Sequence, residues 1–551
     1  MNFEILDIDG LGRIGKIEVN NKQIITPNLF PVVHPYRNII PPIHLKKFGV
    51  QALFTNAYIL YQNENLREVV KKNSIHHYLN FEGLIATDSG AFQQYMYNNN
   101  QFNINAEEIE KFQEDINSDF PVILDIPVQL KDTYLIAKKK VLNTIERAKD
   151  NIARRTNENC NWFGPIHGGK YLDLLEFSSR EMSKLKFDVF AIGGLVKAFL
   201  EYRFDLTLQI LLNVKKNLIP NKPIHMFGLG LPQFFSLAIA CGCDLMDSAA
   251  YILYAKENRY FTLSTGTKSL EELEEFPCHC PICCEYSPKE LKKLEKSDCI
   301  ELLAKHNLYL SFSELKTVRQ AIREGNLWEL VEQRIKSHPF LVEAAKIIKN
   351  YIDFFEAHEK IYKNHGRLLV SSQSISRPLI HRYIARITEN YRIPENVKYL
   401  IVLPELDVKG DSSLTVQNWL EEIYKENLDF KEFIHVVFMS AFFGIIPMEL
   451  IHTFPLGQNE SIKVVDVYDL LYKNSIAKAK IFFDQFSMSY EQCGVLIPKN
   501  FINQFEELIE FSKNHPIQGL DNILTTKFKS NYIKSDKISE ILQFFKEKRE
   551  R

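Results

Sequence analysis

A regular alternation between residues 30 and 250 constrains the fold of this chain more than any other feature. Short apolar runs rich in β-branched residues alternate there with longer segments of helical period. The runs number eight and cover residues 29–33, 50–55, 84–87, 122–124, 163–166, 189–192, 224–227 and 244–246. Strands that alternate with helices form right-handed βαβ units with a parallel sheet. Eight units in about 220 residues therefore predict an α/β fold with a (β/α)8 TIM-type barrel.

Polar residues and glycines follow six successive runs of this set at their carboxyl ends. They are Asp88-Ser89-Gly90, Asp125, His167-Gly168-Gly169, Gly193-Gly194, Gly228-Leu229-Gly230 and Asp247-Ser248. Glycine and aspartate are common turn residues, which explains any one of these cases but explains six in succession poorly. Because the carboxyl ends of barrel strands meet at one mouth, where barrel chemistry occurs, the sequence predicts a site there.

Two carboxylates, Asp88 and Asp247, follow the third and the eighth run, so a closed barrel brings both to its mouth. One of them can act as a nucleophile and the other as a general acid or base, as in glycosyl transfer. Acids at a barrel mouth also serve as metal ligands or as substrate contacts. The spacing alone does not decide between these uses.

Four of the nine cysteines fall between positions 278 and 284. A C-x-C-x2-C pattern and the next histidine after it offer four ligands, namely Cys278, Cys280, Cys283 and His306. Three thiolates and one imidazole complete a tetrahedral zinc site without an open position, which is typical of a structural metal. Cys284 and His279 are alternative ligands. The pattern predicts one structural Zn²⁺ per chain and a reducing compartment.

Composition excludes some classes of protein. The 67 Lys and Arg residues nearly balance 69 Asp and Glu residues, which excludes a wholly basic nucleic-acid binder but allows a local basic groove. The longest apolar run, near residues 436–448, is shorter than the about 20 residues that span a bilayer. The first ten residues lack the cationic and apolar regions of a signal peptide. We expect a cytoplasmic protein without membrane contact.

The part of the chain after the cysteine cluster suggests two domains. Helical sequence extends from about residue 312 to residue 364, and Gly366 suggests a boundary. We expect a catalytic barrel with its zinc site (about residues 278–306) and a helical extension in residues 1–365. Strand-like runs at 399–403 and 435–439 predict a C-terminal α/β domain in residues 366–551, of which residues 495–551 look helical.

The seven residues from Thr87 to Gln93, TDSGAFQ, resemble the T-D-S-G-G-[FY]-Q signature of the tRNA-guanine transglycosylase family. Further matches follow in TNAY at 55–58, LDIP at 124–127, GGL at 193–195, MFGLG at 226–230, DLMDSAAY at 244–251 and the cysteine cluster. The LDIP and DSAAY forms are similar to the archaeal branch. That branch exchanges guanine at position 15 of tRNA for 7-cyano-7-deazaguanine (preQ0) in the archaeosine pathway. The resemblance covers roughly residues 1–365 and implies a glycosyltransferase, with tRNA and guanine or preQ0 as partners, that forms a homodimer.

Roles at the mouth follow from the resemblance. It implies that Asp247 attacks ribose C1′ and forms a covalent aspartyl–ribose intermediate, while Asp88 is the acid and base; accounts of the family also give these two roles the other way round. Asp125 would accept two adjacent N–H groups of the base. Lys256 and Arg259 would hold tRNA phosphates, with an ordinary solvated face as the alternative.

The resemblance also implies a base pocket. Gly193 and Gly194 would let backbone amides approach the base, and Phe92 and Phe227 would stack on it, although core packing also explains Phe227. At the position of His167 the family usually has glutamine. A histidine presents its donor and acceptor on opposite sides of the ring. If it points into the pocket, base selection becomes sensitive to pH; otherwise it bonds a neighbouring loop.

The C-terminal part departs from the family. Archaeal members commonly end in a small RNA-binding PUA barrel rich in glycine, whereas residues 495–551 contain one glycine, Gly519, so we expect no PUA domain. Residues 366–551 faintly resemble the central domain of archaeosine synthase. Of that family's motif P-C-x3-K-P-Y-x2-S-x2-H only Pro404 and Lys409 remain. We therefore expect this domain to pack against the barrel or to dock tRNA, and not to transfer lysine.

Two other functions stay open. One is a non-catalytic tRNA-binding subunit with the same fold. The other is a transglycosylase for a different 7-deazaguanine or for DNA, which His167 allows. The presence of Asp88, Asp125 and Asp247 together favours an active enzyme, since a binding scaffold does not need all three.

Overall fold

The computed structural model describes residues 1–91, 105–406, 413–425, 431–464, 468–498, 500–502, 508–510 and 515–550. The chain divides into two compact units, Met1–Phe354 and Phe355–Arg551. The predicted boundary at residue 365 lies slightly further along the chain than this division. Phe92, a predicted base contact, and Lys409 lie outside the described residues. Among the helices described, none has the length and apolarity to cross a membrane.

The first unit opens with three antiparallel strands, which are β1 (Asn2–Asp9), β2 (Gly12–Val19) and β3 (Lys22–Thr26). Eight parallel strands follow, at or next to the eight predicted runs: β4 (Asn28–Pro31), β5 (Ala52–Asn56), β6 (Leu84–Asp88), β7 (Phe120–Pro121), β8 (Phe163–Ile166), β9 (Val189–Ile192), β10 (Ile224–Met226) and β11 (Leu245–Ser248). An antiparallel hairpin comes next, formed by β12 (Arg259–Thr262) and β13 (Gly266–Ser269).

Helices alternate with the parallel strands. Those described between β5 and the hairpin are Ala57–Gln62, Glu64–Leu79, Ala106–Asp115, Tyr134–Arg154, Leu172–Ser183, Val196–Leu200, Phe204–Asn217, Pro232–Ala240 and Ala250–Lys256. Those after the hairpin are Pro281–Glu285, Pro288–Leu291, Lys296–Glu324, Leu327–Ile335, Pro339–Ala345 and Ile352–His358. The long helix Lys296–Glu324 ends at Gly325, whose φ of +70° is a left-handed conformation that favours glycine.

The eight parallel strands form two sheets, ordered β4-β11-β10-β9-β8 and β5-β6-β7. Single parallel bridges link Val32 with Phe54 and Val122 with Phe163, between the edges of the two sheets. Strand β7 ends just before the predicted run 122–124, where Val122 N donates both to Thr87 O on β6 (3.1 Å) and to a side chain. The amide of Gln113 accepts from Val122 N (3.2 Å) and donates to Val122 O (2.9 Å).

The N-terminal sheet covers the amino ends of three parallel strands. Ile25 N donates to the side chain of Gln51, which precedes β5 (3.0 Å), and Lys22 Nζ donates to Gly83 O, before β6 (3.2 Å). Asn20 donates to Asp119, before β7 (3.1 Å). The amino ends of these strands are therefore occupied, and the carboxyl ends are the side on which the predicted site residues lie.

The second unit is an α/β structure. Its central sheet has the order β17-β16-β15-β19-β22, formed by β15 (Tyr399–Pro404), β16 (Ile434–Ser440), β17 (Gly444–Pro447), β19 (Gln492–Leu496) and β22 (Tyr532–Ser535), and only β17 pairs antiparallel within that sheet. Its other strands are β14 (Arg367–Leu369), β18 (Asn459–Ser461), β20 (Asn500–Ile502) and β21 (Leu508–Glu510). Its described helices are Pro378–Glu389, Leu414–Lys425, Leu470–Phe486, Asp521–Phe528 and Ile538–Arg549. Residues 495–551, which look helical in sequence, thus also contribute the edge strand β22.

A buried ion pair ties the N-terminal sheet to the last parallel strand. Arg13 in β2 donates from Nε and Nη2 to the two oxygens of Asp244, at 2.7 and 2.8 Å, and Ile224 N donates to the same carboxylate (2.8 Å). Burial alone raises the pKa of Asp244, but the charge and hydrogen bonds of Arg13 outweigh burial and hold this pKa below its usual value. The pair fixes the start of β11.

We expect Asp244→Asn to lower the free energy of unfolding by about 3–5 kcal/mol, because it leaves the buried guanidinium without its counter-charge. The lowered pKa means that the carboxylate stabilises the fold above about pH 3.9, where the unfolded carboxyl titrates, and that this stability is lost as pH falls through the folded pKa. Urea unfolding at neutral and acid pH measures both effects. Glu4→Gln, which removes an exposed partner of Lys16, is the control and should change stability by less than about 1 kcal/mol. Equal effects of the two variants would contradict the role of the pair.

Candidate active site and metal centre

Asp247 lies at the carboxyl end of β11 with one oxygen held by two donors. Its Oδ1 accepts from His225 Nε2 (2.8 Å) and from Gly228 N (3.2 Å). The side chain is 14% exposed, so it is partly open to solvent at this end of the sheet. Oδ1 is thus committed to the protein, and among the described residues no donor is assigned to Oδ2.

His225 is the buried group beneath this carboxylate. The rings that surround it, with centroids 5.0–5.9 Å away, are Phe30, Phe54, Phe163 and Phe227. His225 is fully buried, and its Nδ1 has no hydrogen-bond partner among the described residues. The imidazole therefore donates its Nε2 proton to Asp247, the one side chain among the described residues with which it forms a hydrogen bond.

Asp88, at the end of β6, is held in a similar way. Its Oδ2 accepts from Asn56 Nδ2 (3.0 Å) and its Oδ1 from Gly90 N (3.3 Å). Asn56 is its cross-strand partner on β5, and the same amide accepts from Ile59 N (2.9 Å) to cap the next helix. The bond to the helix fixes the Asn56 side chain, which in turn fixes the carboxylate of Asp88.

Asp125 and His167 contact each other directly. His167 Nε2 lies 2.5 Å from Asp125 Oδ2, and the histidine is only 1% exposed. A Cβ on Gly193 would come within 2.2 Å of His167 Cε1, so glycine at this position makes room for the imidazole. Gly194 has a φ of +78°, and a Cβ there would meet Val128 O at 2.5 Å. Both glycines are therefore required by the protein's own packing.

The other residues predicted to contact the base or the tRNA differ in how far their side chains are engaged by the rest of the protein. Phe227 is partly buried and packs against Phe54 and Phe163, with centroids 6.1 and 6.3 Å away. Lys256 is exposed. Arg259 donates to the side chain and the carbonyl of Thr267 in its own hairpin (2.7 and 3.2 Å). The guanidinium of Arg259 is thus engaged within the hairpin, whereas Lys256 faces solvent.

Two residues of the site, His225 and Asn56, have no role in the sequence-based prediction, although Asn56 lies in the TNAY match at 55–58. His225 is the only polar residue in the apolar run 224–227. A polar residue at a buried strand position was the one sequence feature that could have pointed to a role for His225. Asn56 ends the run of β5 and offers a cap, which is common for asparagine at this position. Neither residue carries a motif that points to a neighbouring carboxylate.

Three thiols and one imidazole form a separate centre in the first unit. The ligand atoms of Cys278, Cys280, Cys283 and His306 all lie within 4.8 Å of one another. His306 Nδ1 lies 3.5 and 3.4 Å from the sulfurs of Cys280 and Cys283, which are 3.6 Å apart. Tetrahedral ligands with bonds of about 2.3 Å are about 3.7 Å apart, so this set has the dimensions to hold a metal ion.

The surroundings of the centre select its ligands. His306 Nε2 bonds Phe261 O (3.0 Å), which turns Nδ1 toward the sulfurs and fixes the tautomer, as is usual for a metal-binding histidine. Cys284 is exposed, and its thiol faces His279 O (3.5 Å). The two alternative ligands of the sequence analysis, Cys284 and His279, are therefore not gathered into the group.

Comparison with known proteins identifies the family of this chain. The family model for queuine tRNA-ribosyltransferase (TGT) matches residues 7–340. A tRNA-guanine(15) transglycosylase of Methanococcus maripaludis strain C5 is 39% identical over 474 residues, which are 85% of this chain and 70% of the relative. Those of Methanocaldococcus jannaschii and Pyrococcus furiosus are 38% and 39% identical over 494 and 402 residues, or 88% and 73% of this chain and 71% and 68% of the relatives. The chain therefore belongs to the tRNA-guanine transglycosylase family in its archaeal form, and it is a pentosyltransferase that acts on guanine in tRNA.

Proposed function

We propose that this enzyme exchanges guanine at position 15 of tRNA for preQ0 in the cytoplasm, as a step of archaeosine biosynthesis. The observation that carries the proposal is the state of Asp247, a carboxylate at the mouth with Oδ1 held by His225 and Gly228 N and with Oδ2 available to a substrate. The name of the relatives, tRNA-guanine(15) transglycosylase, supports the position in the tRNA.

The mouth itself is part of the proposal. The single bridges Val32 to Phe54 and Val122 to Phe163 support a closed (β/α)8 barrel, in which the carboxyl ends of all eight strands surround one opening. Asp88 ends β6 and Asp247 lies near the end of β11, so closure brings them to the same opening. Residues 1–365 then form the catalytic domain. Residues 366–551 form a C-terminal domain that docks tRNA, and two copies of the chain form a homodimer.

The reaction is a double displacement. Asp247 Oδ2 forms a bond to ribose C1′ while the C1′–N9 bond to guanine breaks, and the departing base takes a proton from Asp88. The N9–H proton of preQ0 then passes to Asp88, N9 bonds to C1′, and the aspartyl ester bond breaks. The first displacement leaves Asp88 ionised and Asp247 esterified, and the second returns both groups to their starting states, so Asp88 needs no other proton source.

His167 acts on the base through Asp125. Because its Nε2 already donates to Asp125 Oδ2, the imidazole orients the carboxylate, which keeps Oδ1 for an N–H group of the base. The base then contacts Asp125, the backbone at Gly193 and Gly194, and the ring of Phe227. Selection of preQ0 relies on the position of Asp125 and not on a direct contact to His167.

The exchange is testable with tRNA that carries radiolabelled guanine at the target position. Wild-type enzyme should release the label when preQ0 is added, whereas a non-catalytic subunit would bind tRNA without release. Asp247→Asn should abolish the denaturant-resistant protein–tRNA adduct, and Asp88→Ala should lower turnover about 10²–10⁴-fold, the usual value of positioned proton transfer. Asp205→Asn, at an exposed position, is the control. An adduct that survives Asp247→Asn but is lost in Asp88→Asn would reverse the two roles.

His225 is a positioning residue for Asp247. His225→Phe fills the same aromatic surroundings but removes the donor, and a hydrogen bond to a charged group contributes about 1.5–3 kcal/mol, or about 10- to 100-fold in rate. We expect kcat and the rate of adduct formation to fall by this factor while KM for preQ0 stays constant. His225→Gln, which keeps an N–H donor, should restore part of the rate. Equal kcat values in all three proteins would show that His225 only packs.

We propose that the metal of the Cys₃His centre is zinc and that it stabilises the fold. One zinc per chain is expected by elemental analysis, and a strong chelator should lower the melting temperature, because a closed four-ligand site contributes directly to folding. Cys280→Ser should lose the metal. Cys284→Ser, which changes an exposed thiol outside the group, should keep both metal and melting temperature. A metal-free protein with unchanged melting is the outcome that contradicts this proposal.

A further inference from the structure

The segment that follows β4 lies beside the segment that follows Asp247. Val32 N donates to Ser248 O (2.9 Å), and Tyr251 OH donates to Val32 O (3.2 Å). These bonds join the two segments directly after their paired strands, β4 and β11. Residues 34–37 therefore leave their strand at the carboxyl end of the sheet, next to the proposed nucleophile.

Three residues of this segment form a compact group. The guanidinium carbon of Arg37 lies 5.4 Å from the ring centroid of Tyr36, and the rings of Tyr36 and His34 meet edge to face at 4.6 Å. Tyr36 is 46% exposed and Arg37 is exposed. The face of an aromatic ring attracts a cation, so Tyr36 restricts Arg37 to a position at the surface.

A second cation lies near the same group. Lys256 ends the helix Ala250–Lys256, and Tyr251 of that helix bonds Val32 O just before this group. Partial burial, followed by the charges of Arg37 and Lys256, lowers the pKa of His34. Neither Arg37 nor Lys256 forms an ion pair with a carboxylate among the described residues. Other exposed cations of this unit do, for example Lys197 with Glu201 (3.5 Å). Like charges without a counter-charge favour the binding of an anion.

We propose that Arg37 and Lys256 form a binding site for a backbone phosphate of the tRNA, next to the nucleoside that Asp247 attacks. The proposal rests on the proposed function for the identity of the polyanion. It assigns the second cation to Arg37 and not to Arg259, whose guanidinium is held by Thr267 in the hairpin. Tyr36 has a positioning role in this site.

The salt dependence of tRNA binding tests the phosphate site independently of the catalytic activity. Each phosphate contact adds about 0.7–0.9 to the slope of log affinity against log salt concentration. Arg37→Ala should weaken binding most at low salt, and its Kd relative to wild type should fall about threefold between about 50 and about 200 mM salt. Lys256→Ala should behave in the same way. Arg37→Lys, which keeps the charge, should retain most of the wild-type slope.

Arg323→Ala is the matched control. Arg323 is an exposed arginine near Arg319, which donates to Pro27 O (2.7 Å) just before β4, so it lies at the opposite end of the same strand from Arg37. It should leave the slope unchanged. If Arg37→Ala and Lys256→Ala both give the slope of wild type and of Arg323→Ala, the site does not exist. Because both side chains are exposed, melting temperatures should match that of the wild type, and the two variants test the site independently.

A parallel exchange assay separates this proposal from the function on which it rests. A wild-type enzyme that exchanges guanine, together with Arg37→Ala that binds tRNA like the control, would overturn the phosphate site alone. A wild-type protein that binds tRNA with the full slope but does not exchange guanine would overturn the proposed function and leave the site supported. In an active enzyme, loss of the site should raise KM for tRNA and leave KM for the base constant.

Discussion

The buried pair of Arg13 and Asp244 sets the position of β11, and the geometry of the mouth depends on that strand. Asp244 directly precedes β11, which pairs with β4 in a register that places Asp247 opposite Phe30. Successive strand residues face opposite sides, so Leu245 and Asp247 share a face. Leu245 is buried in the core. A slip of one residue would turn Asp247 to the other face, and the ion pair at the start of the strand opposes such a slip.

The same alternation on β10 explains how the partly exposed carboxylate of Asp247 is fixed in position. His225 lies opposite Leu245 in the sheet and shares its face with Phe227. Burial of an imidazole among aromatic rings lowers the stability of the fold unless the imidazole is hydrogen-bonded. Asp247 is the acceptor that His225 contacts. Movement of the carboxylate away from His225 would leave a buried donor unpaired. The core thus fixes the proposed nucleophile from below, while the side toward solvent stays open to substrate.

Periodicity made the eight strand positions predictable, because each run is a local signal of buried strand. The details that sequence missed depend on contacts between distant segments. Directly after the short strand β7, Gln113 of a separate helix bonds both backbone groups of Val122. His167 could be identified as a departure from the family, but its partner Asp125 lies 42 positions earlier, and no local pattern fixes which way the ring turns. The cysteine spacing identified the metal centre, whereas the exclusion of Cys284 required the fold.

The Cys₃His centre and the proposed active site are joined through two successive residues of one helix. His306 bonds Phe261 O through Nε2 and faces the sulfurs through Nδ1, while the next residue, Asn307, accepts from Phe261 N (2.9 Å) and donates to Tyr251 O (3.1 Å). Tyr251 lies in the helix that follows Asp247, and its hydroxyl bonds the segment after β4. A metal at this centre therefore fixes His306, which fixes the start of the helix beside the proposed nucleophile and the phosphate site. A metal bound there would contribute to order around Asp247 although its ligands include no residue of the proposed reaction.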